Sequence, residues 1–414
     1  MNRYFNDKSN YDKYPVVNVP GMEGECRVGW EAISDCLNKD LSQIDKKVKI
    51  VVLECYQGVL DDEVVEALQS FFPSSHWFFS QDAMLSSERI NALLKQDITD
   101  DEIFGYMTRQ TMDCYFDEKK LKDVRSEIAA VAEGIVFVYG VGAAYIQPTS
   151  DLLVYADMAR WEIQMRFRRN EVSNVGVENK EKRASLQYKR AFFVDWRICD
   201  RFKKKLMKRW DYVLDTNIAG TPKMATAKAV WNGLEKASRT PFRVVPFFDP
   251  GPWGGQWMKE VCDLDREVPN FAWCFDCVPE ENSLYFSFGD VRFEIPSIDL
   301  VFAYPARLLG NPVYGRFGDE FPIRFDFLDT MGGGNLSLQV HPLTQYIQEK
   351  FGMHYTQDES YYMLDTAEDA TVYLGVKEGI DPQEMINALN EAQESGHFDA
   401  EKYVIILLRS TIIC

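Results

Sequence analysis

The sequence of 414 residues lacks any run of 18 or more apolar residues, so it does not show the pattern of a membrane-spanning helix. Its first segment, residues 1–8, is polar, and no secretory signal peptide is expected. The nine cysteines are an odd number without framework spacing, and the only CxxC pair is Cys274 and Cys277. This cysteine usage predicts buried, reduced thiols in the cytoplasm rather than disulfides or a zinc ribbon.

Basic residues are fewer than acidic ones, and the formal net charge is −18. Such a balance argues against nucleic acid as a partner. The exception is the segment 160–209, which has sixteen Lys and Arg against six Asp and Glu. A solvated basic helical face is the ordinary explanation of such a segment. The alternative is a lid that binds phosphate, for which the candidate residues are Arg166, Arg168 and Arg169.

The first part of the chain has the pattern of an α/β domain. Four short apolar runs are predicted as strands: residues 15–19, 48–56, 135–139 and 152–157. Helices are predicted in the segments 60–71 and 86–95. Strands that alternate with helices indicate an α/β domain over residues 1–240, with one further domain after it.

A segment dense in proline and glycine, residues 240–255, marks the predicted domain boundary. The short alternating runs after it predict strands at residues 284–288, 291–295, 323–328, 336–342, 359–365 and 370–376. One helix is predicted at 382–394. This all-β pattern is typical of a sandwich or jelly roll.

Two of these predicted strands carry a candidate metal site. Side chains alternate along a strand, so Gln339 and His341 share one face of the segment 336–342. Glu359 opens the next predicted strand. An amide oxygen, an imidazole and a carboxylate on adjacent strands suit a divalent metal such as zinc. The alternative is that these side chains only form hydrogen bonds inside a barrel.

The residues of this region resemble type I mannose-6-phosphate isomerase, a zinc-dependent family with a cupin (jelly-roll) fold. The resemblance covers about residues 241–404 and rests on Trp253-Gly254-Gly255 and the segments 321–328, 336–342 and 358–365. It implies that Gln339, His341 and Glu359 occupy three of the family's four zinc-ligand positions. It also implies isomerisation of mannose 6-phosphate and fructose 6-phosphate, with a small-molecule sugar phosphate as partner. Zinc would stabilise the negative charge that develops as a proton moves between C1 and C2.

The chain departs from that family in three ways. The family's fourth ligand is a histidine well past the glutamate, and here only His397 follows, in a turn after a helix. The lysine common beside the glutamate is absent, because Gln357 and Asp358 precede Glu359. The strongly apolar segment 404–414 also differs from the family's continuation. We therefore expect a cupin domain over 241–414 that is incomplete, with no assigned catalytic base; the alternative is a non-catalytic sugar-phosphate-binding or regulatory cupin protein.

A second resemblance concerns residues 1–235. Gly24 and Gly29 have the spacing of a P-loop, but Trp30 and Glu31 stand where such a loop has lysine and Ser or Thr. A tryptophan cannot supply the positive charge of the lysine, and a glutamate would repel phosphate. The segments 135–140, 151–157 and 160–169 resemble a uridine-kinase-type P-loop fold, which implies a degenerate kinase-like domain that binds no nucleotide. An active kinase is the alternative.

Overall fold

The computed structural model describes residues 9–408. The polar segment 1–8 and the end of the apolar C-terminal run, residues 409–414, lie outside the described residues. The strands are β1 (Val16–Asn18), β2 (Cys26–Val28), β3 (Val48–Cys55), β4 (His76–Phe79), β5 (Gly134–Gly140), β6 (Leu152–Asp157), β7 (Tyr212–Asp215), β8 (Lys223–Thr226), β9 (Phe247–Asp249), β10 (Trp273–Cys277), β11 (Ser283–Phe288), β12 (Val291–Pro296), β13 (Phe325–Leu328), β14 (Thr371–Val376) and β15 (Val404–Leu408).

The helices are α1 (Trp30–Ser42), α2 (Asp61–Phe71), α3 (Ser87–Ile98), α4 (Glu118–Ala130), α5 (Ala143–Ile146), α6 (Arg160–Arg168), α7 (Ala184–Arg190), α8 (Trp196–Leu206), α9 (Ala227–Arg239), α10 (Trp257–Val261), α11 (Ile298–Ala303), α12 (Pro305–Leu309), α13 (Asn311–Phe317), α14 (Thr344–Phe351), α15 (Pro382–Ser395) and α16 (Ala400–Tyr403). None of the helices within residues 9–408 is long and apolar enough to cross a membrane.

The main sheet has seven strands in the order β2-β8-β7-β6-β3-β5-β4. The five strands from β3 to β7 pair in parallel, whereas β8 and β2 add antiparallel to one side. The predicted strands at 48–56, 135–139 and 152–157 are confirmed as β3, β5 and β6, and the predicted helices at 60–71 and 86–95 as α2 and α3. The α/β class is therefore confirmed, in a protein that contains several sheets.

The predicted strand at 15–19 exists as β1, but it does not join the main sheet. It pairs in parallel with β11, from Val16 opposite Tyr285 to Asn18 opposite Ser287, in the three-stranded sheet β1-β11-β12. This sheet packs on α9, where Gly233 leaves room for the ring of Phe286. Phe286 belongs to the same buried core as Val51 of β3. The core therefore continues past residue 240, where the sequence predicts a domain boundary.

The remaining sheets are small. Strands β9, β10 and β13 form one, which covers a core of Met258, Phe271 and Cys274, and β14 pairs with β15 in a hairpin. The predicted strands at 284–288, 291–295, 323–328 and 370–376 are confirmed as β11, β12, β13 and β14, and the predicted helix at 382–394 as α15.

Two strand predictions are wrong, because residues 336–342 and 359–365 form no strand. The first segment follows three consecutive glycines, Gly332 to Gly334, whose flexibility opposes a regular strand. Its alternating apolar residues Leu338 and Val340 are exposed, so they have no core to face. An alternating pattern specifies a strand only when a partner strand and a buried face are present.

Candidate functional site

His341 and Glu359, two of the three predicted metal ligands, lie together although neither is on a strand. The imidazole Nε2 of His341 is 3.1 Å from Oε2 of Glu359. The other ring nitrogen, Nδ1, is 2.7 Å from the carbonyl oxygen of Gln357. A carbonyl oxygen only accepts hydrogen bonds, so Nδ1 carries a proton and donates it. Nε2 then faces a carboxylate oxygen, and a positively charged species between them, a proton or a metal ion, would stabilise this contact.

The His341–Glu359 contact can be compared with the spacing of two zinc ligands. Two ligands of one tetrahedral zinc ion, each about 2.0–2.1 Å from the metal, lie about 3.3 Å apart. The observed separation of 3.1 Å is close to that value. Metal-binding histidines also commonly donate the other ring N–H to a backbone carbonyl, as His341 does to Gln357. The contact is therefore compatible with two zinc ligands, and 3.1 Å is equally the length of an ordinary hydrogen bond between an imidazole and a carboxylate.

Gln339, the third predicted ligand, is not part of this contact. Its side chain is exposed, and no hydrogen bond within residues 9–408 joins it to His341 or Glu359. The same described part of the chain contains no group of three or more His, Cys, Asp or Glu side chains that could hold a metal. The pair would therefore need Gln339 to turn toward it before three protein ligands could meet.

The surroundings of Glu359 include two residues that the sequence analysis missed. Partial burial of the Asp326 carboxyl group, with the negative charge of Glu281 and Glu359, raises the pKa of Asp326 to about 6. Arg324, on the same stretch of chain, donates to Oε1 of Glu280. The alternation of Arg324 and Asp326 in the segment 323–328 predicts that both side chains lie on one face of a strand, and this is the signal that could have found them.

A second group of polar residues lies at the carboxyl ends of the parallel strands. In open α/β sheets, ligands bind in a crevice between two neighbouring strands whose following connections run to opposite sides of the sheet. Here those strands are β3 and β6. The residues that leave these two strands are Tyr56, Gln57 and Met158, and each is buried. The crevice is therefore filled by the protein's own side chains.

Lys203 lies at the centre of that filling. Its Nζ is 2.7 Å from both carboxylate oxygens of Asp157 and 2.8 Å from Oδ1 of Asp299, and all three side chains are fully buried. Burial lowers the pKa of Lys203, but the two carboxylates outweigh it and raise the pKa above the usual value. Asp157 ends β6, whereas Asp299 lies on α11, so the ammonium joins the main sheet to the chain after residue 240.

The predicted P-loop spacing lies elsewhere in the fold. Gly24 and Gly29 flank β2, which is an antiparallel strand at the edge of the main sheet. A phosphate-binding loop follows a parallel strand of the sheet on which its helix packs, and the loop after the first parallel strand of the main sheet is the one that contains Gly58. The interpretation of Gly24 and Gly29 as a P-loop remnant is therefore wrong in its location.

The three arginines predicted for phosphate already have protein partners. Arg166 is buried, and its guanidinium donates to the carbonyl oxygens of Gly58 and Thr216 at 2.6 Å each. Arg168 binds both carboxylate oxygens of Asp249 at 2.8 Å. Arg169 pairs with Glu162 and Glu171. A phosphate would have to displace these acceptors, so the basic segment serves mainly internal contacts.

Glu54 is a further buried carboxylate beside the filled crevice. Its two oxygens accept from the backbone N–H groups of Gly142 and Ala144, each at 2.7 Å. Burial raises the pKa of Glu54 from 4.5 to about 8, and the two N–H groups offset this only in part. The folded state therefore holds a proton that the unfolded state releases, and the stabilisation is complete below pH 4.5 and is lost as the pH rises to about 8.

The variant Glu54→Gln should remove that pH dependence. We expect the stability of the native protein, relative to the variant, to fall with rising pH across this window by at most about 1.4 kcal/mol per pH unit. Urea unfolding of both proteins at several pH values measures the difference. Glu66→Gln on α2, where the carboxylate is exposed, is the control and should follow the native protein. Parallel curves for native protein and Glu54→Gln would contradict this prediction.

One protein-family model matches just over half of the chain. A family model with the description "Domain of unknown function (DUF8485)" matches residues 29–239, which contain the filled crevice and every strand of the main sheet except β2. No curated protein shows a significant match to this sequence. The chain belongs to the family described as a domain of unknown function, DUF8485.

Proposed function

We propose that this protein is a zinc-dependent aldose–ketose isomerase that acts on mannose 6-phosphate and fructose 6-phosphate. The observation that carries the proposal is the contact of 3.1 Å between His341 Nε2 and Glu359 Oε2, with His341 Nδ1 fixed on a carbonyl oxygen. The sequence resemblance supplies the substrate class. Zinc, when bound, supplies positive charge that stabilises the enediol-like intermediate.

The chain's own residues have two tasks in this proposal. His341 and Glu359 hold the metal, and the Gln357 carbonyl orients the His341 ring so that Nε2 points toward the metal position. Gln339, which lies two residues before His341, would complete the protein ligands by a change in the conformation of its exposed side chain. Bound metal would thus stabilise one conformation of the segment 336–342, which pairs with no strand among the described residues.

The finer features of the fold belong to the same proposal. We infer that residues 241–408 derive from a cupin and that the sheet-bearing N-terminal part derives from a P-loop kinase. The filled crevice supports an N-terminal part that binds no nucleotide, since the position next to β3 and β6 holds Tyr56, Gln57 and Met158. The cysteines of the described residues are free thiols, which supports a reducing compartment such as the cytoplasm.

A zinc measurement on His341→Ala tests the metal site. We expect the native protein to retain zinc after desalting. The variant should retain at least about tenfold less zinc per molecule, because a ligand is lost. Mass spectrometry of the metal content measures both. The matched control is His354→Ala, since His354 is also an exposed histidine near a carboxylate, at 3.8 Å from Glu320. Equal zinc in the two variants would refute the site.

A second function is favoured by the position of Gln339 outside the His341–Glu359 contact. The protein could be a non-catalytic sugar-phosphate-binding protein that keeps the metal and lacks turnover. A coupled assay of mannose 6-phosphate isomerisation on zinc-loaded protein separates the two. Zinc with activity supports the isomerase, zinc and sugar-phosphate binding without activity support the second function, and the absence of zinc removes both.

A further inference from the structure

The outer edge of the main sheet is formed by β4, whose sequence is His76-Trp77-Phe78-Phe79. This strand pairs only with β5, so its other edge offers unpaired backbone groups within the described structure. Natural edge strands are usually protected by lysine, proline or a bulge. Strand β4 is short, with four residues, but it carries no lysine, proline or bulge, and its register with β5 is regular over its whole length.

A groove of about 340 Å³ runs between this edge and helix α4. Side chains alternate along β4, so Trp77 and Phe79 share one face of the sheet, where Trp77 stacks on Phe137 at 4.6 Å between ring centroids and Phe79 stacks on Trp77 at 6.0 Å. Phe78 lies on the other face. Aromatic side chains supply large contact areas at a low cost in conformational entropy. The open edge of β4 therefore lies between a preformed aromatic surface on one face of the sheet and Phe78, which also lines the groove, on the other.

The rim of the groove is negatively charged. Asp82, Asp123 and Glu127 line it and are exposed. Lys120 is the one cation that lines the groove in the described structure, and its Nζ donates to the carbonyl oxygen of Met84 at 2.9 Å. That ammonium is thus directed to the protein backbone, and the acidic side chains set the charge of the opening.

We propose that this groove binds an extended segment of a partner protein that carries lysine or arginine at alternate positions. The segment would add to the β4 edge as a further strand through backbone hydrogen bonds. Its apolar side chains would lie on Trp77 and Phe79, and its basic side chains would face Asp82, Asp123 and Glu127. Strand addition supplies the affinity, and the acidic rim selects a basic sequence.

The same charges argue against a second copy of this chain as the occupant. A twofold pairing of two β4 edges would bring Asp123 and Glu127 of one copy toward the identical acidic rim of the other. Like charges at such an interface are unfavourable. A basic segment would instead be attracted to the rim, since each of its cations approaches a carboxylate.

The test uses a fluorescein-labelled octapeptide of alternating lysine and valine with the full-length protein. Fluorescence anisotropy should show binding that weakens about tenfold or more in Asp123→Lys/Glu127→Lys. Hydrogen-exchange mass spectrometry should show slower exchange at residues 76–79 when the peptide is bound to the native protein. A peptide of alternating glutamate and valine should not bind.

The matched control is Glu391→Lys/Glu394→Lys, which makes the same change in net charge at exposed positions of α15. This control should bind the basic peptide as the native protein does. Equal loss of binding in the two double variants would mean general charge attraction and would overturn the proposal. Unchanged exchange at residues 76–79, or light scattering that shows a dimer through this edge, would also overturn it.

Discussion

Replacing Lys203 with methionine is expected to lower the free energy of unfolding by about 3–5 kcal/mol. The ammonium of Lys203 is buried and holds Asp157 and Asp299 at 2.7 and 2.8 Å. Burial and the negative charge of Asp157 already raise the pKa of Asp299 well above its usual value. Without Lys203, the two buried carboxyl groups have no cation between them, so the site must bind a further proton or open. Urea unfolding followed by circular dichroism measures the change in midpoint.

Lys204→Met is the matched control, because Lys204 is the next residue and also forms an ion pair, with Asp319 at 2.8 Å. Its pair is partly exposed, so the loss should be within about 1 kcal/mol. The triple variant Lys203→Met/Asp157→Asn/Asp299→Asn removes the unpaired charges and should recover part of the stability. Equal losses for Lys203→Met and Lys204→Met would show that the buried contact is not important.

Replacing Gly255 with alanine is expected to destabilise the protein by about 1–3 kcal/mol, or more if the backbone cannot move. A Cβ atom on Gly255 would lie 2.6 Å from the backbone nitrogen of Met331 and even nearer to the Asp329 carboxylate. The residue cannot retreat easily, because its N–H donates to the Asp329 carbonyl oxygen at 2.8 Å. The close approach explains why Trp253-Gly254-Gly255 needs glycine at its last position.

Thermal unfolding and limited proteolysis of Gly255→Ala would measure this effect, with earlier cleavage expected within residues 241–408. Gly315→Ala is the control, since nothing lies within 4 Å of the Cβ position of Gly315, on α13. That change should be neutral or slightly stabilising, because alanine favours a helix. Resistance of Gly255→Ala to protease at the native level would contradict the steric argument.

The sequence predicts best where one physical requirement dominates. Strand β3 is buried over its last five residues, so its continuous apolar run has only one good explanation. In the segment 336–342 apolar and polar residues alternate just as clearly, but this alternation does not show whether a partner strand is present. The structure shows none beside it among residues 9–408, and the pattern therefore misled.

The candidate site was predictable in part for a similar reason. Strand alternation and a family resemblance both placed His341 near Glu359, although the predicted strands that were to carry the pair do not form. The Lys203 contact was not predictable, because Asp157 and Asp299 come from distant parts of the chain. A sequence shows that Asp157 ends an apolar strand, but it cannot show which cation will approach from another element.

The pairing of β1 with β11 has a consequence for the order of events during synthesis. Val16 lies opposite Tyr285, so the first strand of the chain must wait for its partner until most of the protein has left the ribosome. During that interval the main sheet, whose strands fall between Cys26 and Thr226, can already assemble. Closing so long a loop is slow, and the exposed strand is open to wrong pairing in the meantime. The three-stranded sheet that holds β1 is therefore completed only after β11 and β12 have been made.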